Sequence, residues 1–180
     1  MRKLKTNELN RLDVETFKNA RKNPIIIVLD NVRSLNNIGS VFRTADAFRI
    51  EKILLCGITA CPPHREIQKT ALGATASVEW QYFEEISDAI FQLKKDRYFI
   101  IAMEQVDKSI KLHHFVPEAG KKYALVFGNE INGVSEGVIG NADLCIEIPQ
   151  FGTKHSFNVT VSAGIAVWEM LFKMNLLDKT

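Results

Sequence analysis

The stretch NPIIIVLDNVRSLNNIGSVFRTADAFRIEKILLC, residues 23–56, decides the fold. It opens on a continuous apolar run, Ile25-Ile26-Ile27-Val28-Leu29. A short run of this kind, rich in β-branched side chains, reads as a strand buried on both faces. Ile38, Val41, Phe42, Ala45 and Phe48 then recur at i, i+3, i+4, i+7 and i+10. That spacing gives one apolar face of a helix beginning near Asn36 or Asn37. A second apolar strand follows at 52–56.

The same alternation continues to the end of the chain. Strands are expected at 77–80, 98–103, 123–127 and 144–148. A helix is expected at 84–95, with Ile86, Ala89, Ile90 and Leu93 facing inward. The fold class is therefore α/β: a mostly parallel sheet flanked by helices. Ligands of such sheets bind beyond the carboxyl ends of the strands, so chemistry is expected in the loops after Leu29, Phe127 and Ile148.

Composition agrees with one ordinary domain. The chain has 180 residues, 46% hydrophobic and 24% charged, and a chain of this size buries about 70% of its extended surface. The longest apolar run is the one at 25–29, far short of the roughly 20 residues of a membrane span. The opening MRKLKTNELNRLD has no apolar core of a secretory signal. Three cysteines without a CxxC pair suggest a reducing, cytoplasmic setting. Residues 1–24 carry seven basic and three acidic side chains, a net +4 in a chain of net +2. They form a basic helical arm before the single domain at 25–180. Such an arm attracts polyanions if the body uses one.

Residues 160–174 form a last helix with small residues first (Ser162, Ala163, Gly164, Ala166) and apolar residues on nearly every face later. A helix apolar all round must be buried all round. The expectation is a homodimer built on this helix.

Common cofactor and metal motifs are missing: there is no GxGxxG, no Walker A sequence and no HExxH. The absent Gly-rich loop argues against a Rossmann-type methyltransferase. Cys61 and His64, with the adjacent His113 and His114, do not make the ligand spacing of a zinc site, and no metal is expected. Gly133-Val134-Ser135-Glu136-Gly137 matches the GxSxG of α/β-hydrolases, with Asp143 and His155 following in order. The polar residues 128–132 separate that serine from the strand end, whereas an elbow needs the serine directly between strand and helix. Ser135 then reads as a helix N-cap.

Three segments together resemble the SpoU/TrmH family of RNA ribose 2′-O-methyltransferases, within the SPOUT superfamily. Asn37-Ile38-Gly39-Ser40-Val41-Phe42-Arg43-Thr44-Ala45 is similar to the family's N-x-G-x-x-x-R-T-A. Phe127-Gly128-Asn129-Glu130-Ile131-Asn132-Gly133-Val134-Ser135 is similar to F-G-x-E-x-x-G-x-S. Ile148-Pro149-Gln150-Phe151-Gly152, followed by Ser156-Phe157-Asn158-Val159, is similar to I-P-M-x-G-x-x-x-S-L-N-V. Gln150 stands where the family has Met, and Phe157 where it has Leu.

The resemblance implies a SPOUT-like sheet whose C-terminal segment threads a loop as a deep trefoil knot, the small residues 162–166 giving the threaded helix a thin waist. It implies a homodimer through the C-terminal helix. It implies S-adenosylmethionine held by Gly128, Ile148 and Phe157, and methyl transfer to a ribose 2′-hydroxyl of RNA. Arg43 would be the catalytic arginine, either as a base activated by an RNA phosphate or as a phosphate anchor. Asn37 would hold Arg43 or the ribose; otherwise it caps the helix. Glu130 would orient the site, and Ser156 and Asn158 would position ribose and phosphate. RNA would also meet Arg2, Lys3, Lys5, Arg11, Arg21 and Lys22 of the arm and loops such as 60–70, since the chain has no room for a separate RNA-binding domain. By analogy with compact relatives, tRNA is expected over rRNA. The alternatives are a non-catalytic RNA-binding module on the same scaffold and a serine hydrolase using Ser135.

Overall fold

The structure is a computed structural model that describes residues 1–5, 8–9 and 11–177. Parts of the expected arm, at 6–7 and 10, and the end of the expected domain, at 178–180, lie outside the described residues. Seven parallel strands form one sheet: β1 (Asn23–Asp30), β2 (Ile50–Cys56), β3 (Trp80–Phe83), β4 (Tyr98–Met103), β5 (Ile110–Lys111), β6 (Lys122–Phe127) and β7 (Leu144–Glu147). Their spatial order is β3-β2-β1-β6-β4-β7-β5. The helices are α1 (Val14–Asn19), α2 (Leu35–Ala47), α3 (Arg65–Ala71), α4 (Ala74–Ser77), α5 (Ile86–Lys95), α6 (Glu136–Ile139) and α7 (Val159–Lys173).

The apolar run at 25–29 is the middle of the sheet because it is paired on both sides, with β2 through Ile26–Asp30 and with β6 through Ile25–Leu29. Successive side chains of a strand face opposite ways. Ile25, Ile27 and Leu29 thus join a core with Phe42, Leu55, Leu125 and Phe127 under α2 and α7. Ile26 and Val28 join a second core with Leu54, Val126, Ile90 and Leu93 of α5. Both faces are covered, as a continuous apolar strand requires.

Several expected boundaries shift. The strand expected at 77–80 lies at Trp80–Phe83, because Ser77 ends α4, its hydroxyl donating to Asp46 and to the Ala74 carbonyl. The loop expected at 60–70 contains α3, capped by His64, whose ring nitrogen accepts the Glu66 N–H at 3.2 Å. Among the described residues of the arm, the α-helix is confined to Val14–Asn19, where the buried Phe17 docks it on the core.

Within the single chain the last helix is buried on one side. Ala163, Ala166, Val167, Met170 and Leu171 are buried, whereas Val161, Ile165, Trp168 and Phe172 are exposed on one stripe at i, i+4, i+7 and i+11. Gly164 faces open space. The buried small residues are the two alanines on the core side, so a thin waist does not account for the glycine. Among the described residues, no helix is long and apolar enough to cross a membrane.

Candidate active site

The three motif loops meet at the carboxyl end of the sheet. The loop after β6 folds back on itself: Asn129 and Gly133 exchange backbone hydrogen bonds at 2.9 Å each, and the Asn129 side-chain oxygen accepts the N–H groups of Ile131 and Asn132. Gly133 has φ +69°, a left-handed backbone that glycine adopts without a Cβ penalty. A Cβ on Gly128 would lie 2.1 Å from the Gly133 carbonyl and the Val134 nitrogen. Only glycine permits that approach, which packs the two limbs of the loop against each other.

Two carboxylates fix this loop from below. Asp30, buried at the end of β1, accepts the Ser135 N–H at 2.9 Å and the Asn31 amide at 2.8 Å. Glu104 accepts the N–H groups of Val134 and Gln105, each at 2.9 Å. Neither residue belongs to the motifs. The signal available for Asp30 was a lone carboxylate closing an apolar strand.

Glu130 reaches the other way, to the start of α2. Its carboxylate accepts the backbone N–H of Arg33 and of Ser34 and the Asn37 side-chain amide, all at 3.0 Å. Burial pushes this carboxyl up, but the donors of Arg33, Ser34 and Asn37 and its own backbone N–H together hold it below the ordinary carboxylate range. Asn37 uses its remaining oxygen to accept from the Asn158 amide at 3.2 Å. Asn158 in turn caps α7, its oxygen accepting the Thr160 N–H at 2.8 Å and hydroxyl at 2.6 Å. One hydrogen-bonded line, Glu130–Asn37–Asn158–Thr160, thus joins all three motifs. The cap of α2 is Ser34, not Asn37, because the helix starts at Leu35, earlier than expected.

Behind this line lies a cavity of about 300 Å³, at the small end of ligand pockets. Gly128, Ile148 and Phe157 line it, as do Glu130, Ser156 and Asn158. Its ionisable lining residues are Glu104, Glu130, Glu147 and His155; no Lys or Arg is among them. Arg43 is not there. It lines a neighbouring shallow groove with Ser40, Thr44, Lys69, Thr70 and Thr160, and no acidic residue is part of that lining. The first turn of α7 divides the two depressions: Val159 and Ser162 face the cavity, Thr160 and Val161 the groove. Of the two roles expected for Asn37, holding Arg43 or holding the ribose, the structure shows neither directly; its hydrogen bonds go to Glu130 and Asn158.

The hydrolase arrangement does not assemble. The Ser135 hydroxyl is buried without a partner, and Asp143 spends an oxygen on the Ile100 N–H at 2.7 Å. Ser135 does occupy the N-cap position of α6, though its side chain makes no capping bond. In the arm, Lys22 is drawn onto the end of α1, donating to the carbonyls of Phe17, Ala20 and Lys18, and Arg2 makes a two-pronged pair with Glu8. Lys3, Lys5, Arg11 and Arg21 are exposed.

Comparison with known proteins points one way. The model of the SpoU rRNA methylase family matches residues 24–168. A Borreliella burgdorferi protein named "uncharacterized tRNA/rRNA methyltransferase" is 32% identical, covering 97% of this chain and 75% of its own length. The tRNA (guanosine(18)-2′-O)-methyltransferase of the same bacterium is 28% identical over 89% of this chain and 72% of its own. The crystal structure of an AdoMet-bound rRNA methyltransferase from Sinorhizobium meliloti superposes with a TM-score of 0.78 at 24% identity, over 87% of this chain and 59% of that one.

Proposed function

Since the chain belongs to the SpoU rRNA methylase family, we propose that it transfers a methyl group from S-adenosylmethionine to a ribose 2′-hydroxyl of RNA. The observation that carries this reading is the separation of charge at the site. The cavity is walled by three carboxylates and no Lys or Arg, which suits a cationic sulfonium. The groove beside it carries Arg43 and Lys69 and no acid, which suits an RNA phosphate. Gly128, which lines the cavity, lets the two limbs of the loop after β6 pack backbone against backbone and so fixes that wall.

Gly128, Ile148 and Phe157 would hold the donor, which supplies an electrophilic methyl when bound. Glu130, Asn37 and Asn158 fix the loops around it, Ser156 and Asn158 offer polar contacts to the ribose, and Arg43 anchors a phosphate so that the hydroxyl is aligned. A guanidinium stays protonated, so anchoring rather than proton abstraction is its role here. The threaded path of a trefoil knot fits the way segment 148–158 runs against Gln105, which donates to the His155 carbonyl at 3.2 Å. A homodimer would cover the exposed stripe of α7. We place the activity in the cytoplasm and favour tRNA, in line with the B. burgdorferi tRNA enzyme, with Lys3, Lys5, Arg11 and Arg21 meeting the RNA backbone. Titration calorimetry with S-adenosylmethionine, followed by mass spectrometry of nucleosides from cells with and without the protein, tests the reading. Donor binding and one 2′-O-methylated nucleoside missing on deletion support it. No binding, or an unchanged nucleoside profile, overturns it.

A further inference from the structure

Two neighbouring residues carry both halves of the proposed reaction: Ser156 faces the ribose and Phe157 the donor. Both line the cavity, yet they lie in a stretch, 148–158, that is neither helix nor strand. No ladder of backbone hydrogen bonds fixes such a stretch, so its position depends on a few individual bonds. On one side of the pair, Asn158 is pinned by its bond to Asn37 and by capping α7. On the other side, the His155 carbonyl accepts from the side-chain amide of Gln105 at 3.2 Å. The Gln150 amide reaches the same oxygen only at 3.5 Å, the outer limit of such a bond.

Gln105 is the second residue after β4 and is itself held. Its N–H donates to one oxygen of the Glu104 carboxylate at 2.9 Å, and the other oxygen accepts the Val134 N–H at 2.9 Å. Glu104 extends the sheet, its N–H donating to the Ile146 carbonyl of β7 at 3.0 Å. A Cβ on Gly133 would lie 2.1 Å from the Glu104 carboxylate, so the loop after β6 packs directly on it. A second hydrogen-bonded line, Val134–Glu104–Gln105–His155, therefore joins the loop after β6 to the loop after β7. Ser156 and Phe157 hang between this line and the one through Asn37. The Asn37 line is built from the motifs; Glu104 and Gln105 belong to none of them.

We infer that Gln105 is a positioning residue for the transfer. By holding the His155 carbonyl it fixes Ser156 and Phe157 where ribose and donor meet, and it acts through that loop rather than on the reacting atoms. The inference rests on the proposed methyl-transfer function and deepens it. A loop ordered before its ligand arrives leaves less entropy to be lost on binding, so the effect of the bond is read in donor affinity. Gln105 is exposed, and a substitution at such a position leaves the core intact.

Gln105→Met tests this, since it keeps the length of the side chain and removes the amide. With the whole protein, calorimetry should show S-adenosylmethionine bound about 3- to 10-fold more weakly, the fold-change of one net hydrogen bond. Hydrogen exchange read by mass spectrometry, without donor, should be faster over residues 152–157 and unchanged over β4, β6 and α7, with the melting temperature of the wild type. Gln105→Lys retains a side-chain N–H donor of similar reach and should bring the exchange of 152–157 back toward the wild type. Donor affinity in Gln105→Met equal to the wild type, or unchanged exchange over 152–157, overturns the inference. So does faster exchange that spreads through β4 and β6 with a lower melting temperature, which assigns Gln105 to the stability of the fold alone. If the wild type binds no donor and methylates no RNA, the underlying function fails instead.

Discussion

Asn37 is the residue on which the site turns, because its two polar atoms face two different loops. Glu130 supplies the charge that makes this arrangement stable. Its folded-state carboxyl lies below the ordinary range, so its contribution is complete above the unfolded value near 4.3 and disappears only as pH falls through the lower folded value. Any activity that fades between about pH 7 and 5.5, above that window, therefore belongs to another group. Glu130→Gln replaces one of the two accepting oxygens with an amide that cannot accept, and kcat/KM should fall at all pH values; initial rates across the acid and neutral range check this. Arg43→Ala leaves the cavity wall intact. It should reduce transfer about 100-fold, the cost of a misaligned reactant, while calorimetry shows donor affinity close to that of the wild type.

These residues were legible because their types and spacings recur as motifs. Asp30 and Glu104 were not. What they hold is backbone N–H, from residues 105 and 30 positions away along the chain, and no local pattern records such a bond. The position of Arg43 on α2 was plain, but which depression it borders depends on where α7 crosses.

Among the elements, the sheet strands were readable from their apolar runs and the short pieces were not. α3 and α4 have seven and four residues, too few for helical periodicity to declare itself. They persist because they pack on α2 and because Leu72 and Gly73, both with positive φ, turn the chain between them. The loop after β6 is an element in its own right, held as a small antiparallel bridge. Gly128→Ala would force its two limbs apart, since the new methyl would sit 2.1 Å from the Gly133 carbonyl. The expected result is loss of donor binding by calorimetry together with a lowered melting temperature, whereas the same substitution at Gly152, where a Cβ meets nothing within 4 Å, should leave the melting temperature unchanged.

At the scale of the whole molecule, two surfaces remain to be accounted for. Trp168 is 53% and Phe172 61% exposed on the outer stripe of α7, and four large apolar residues in line make a patch that favours association. Sedimentation should show a dimer at micromolar concentration, and Trp168→Glu should shift it to monomer with the far-ultraviolet spectrum preserved. The basic arm predicts a salt effect. Removing residues 1–11 should flatten the dependence of log K on log salt by about 0.7–0.9 for each phosphate that the arm had neutralised, read by filter binding at several salt concentrations; an unchanged slope assigns the arm to structure alone.

The bonds that close the site span most of the chain: Asn37 meets Glu130 across 93 positions and Asn158 across 121. On the ribosome, then, the central strands can pair while the pocket is still without its third wall, and that wall arrives only once the segment around Asn158 has been translated. Pairings so distant in sequence are slow to close, so the three motif loops come together after the central strands have paired. A nascent chain halted just short of Asn158 would carry all seven strands and lack the bond that ties Asn158 to Asn37.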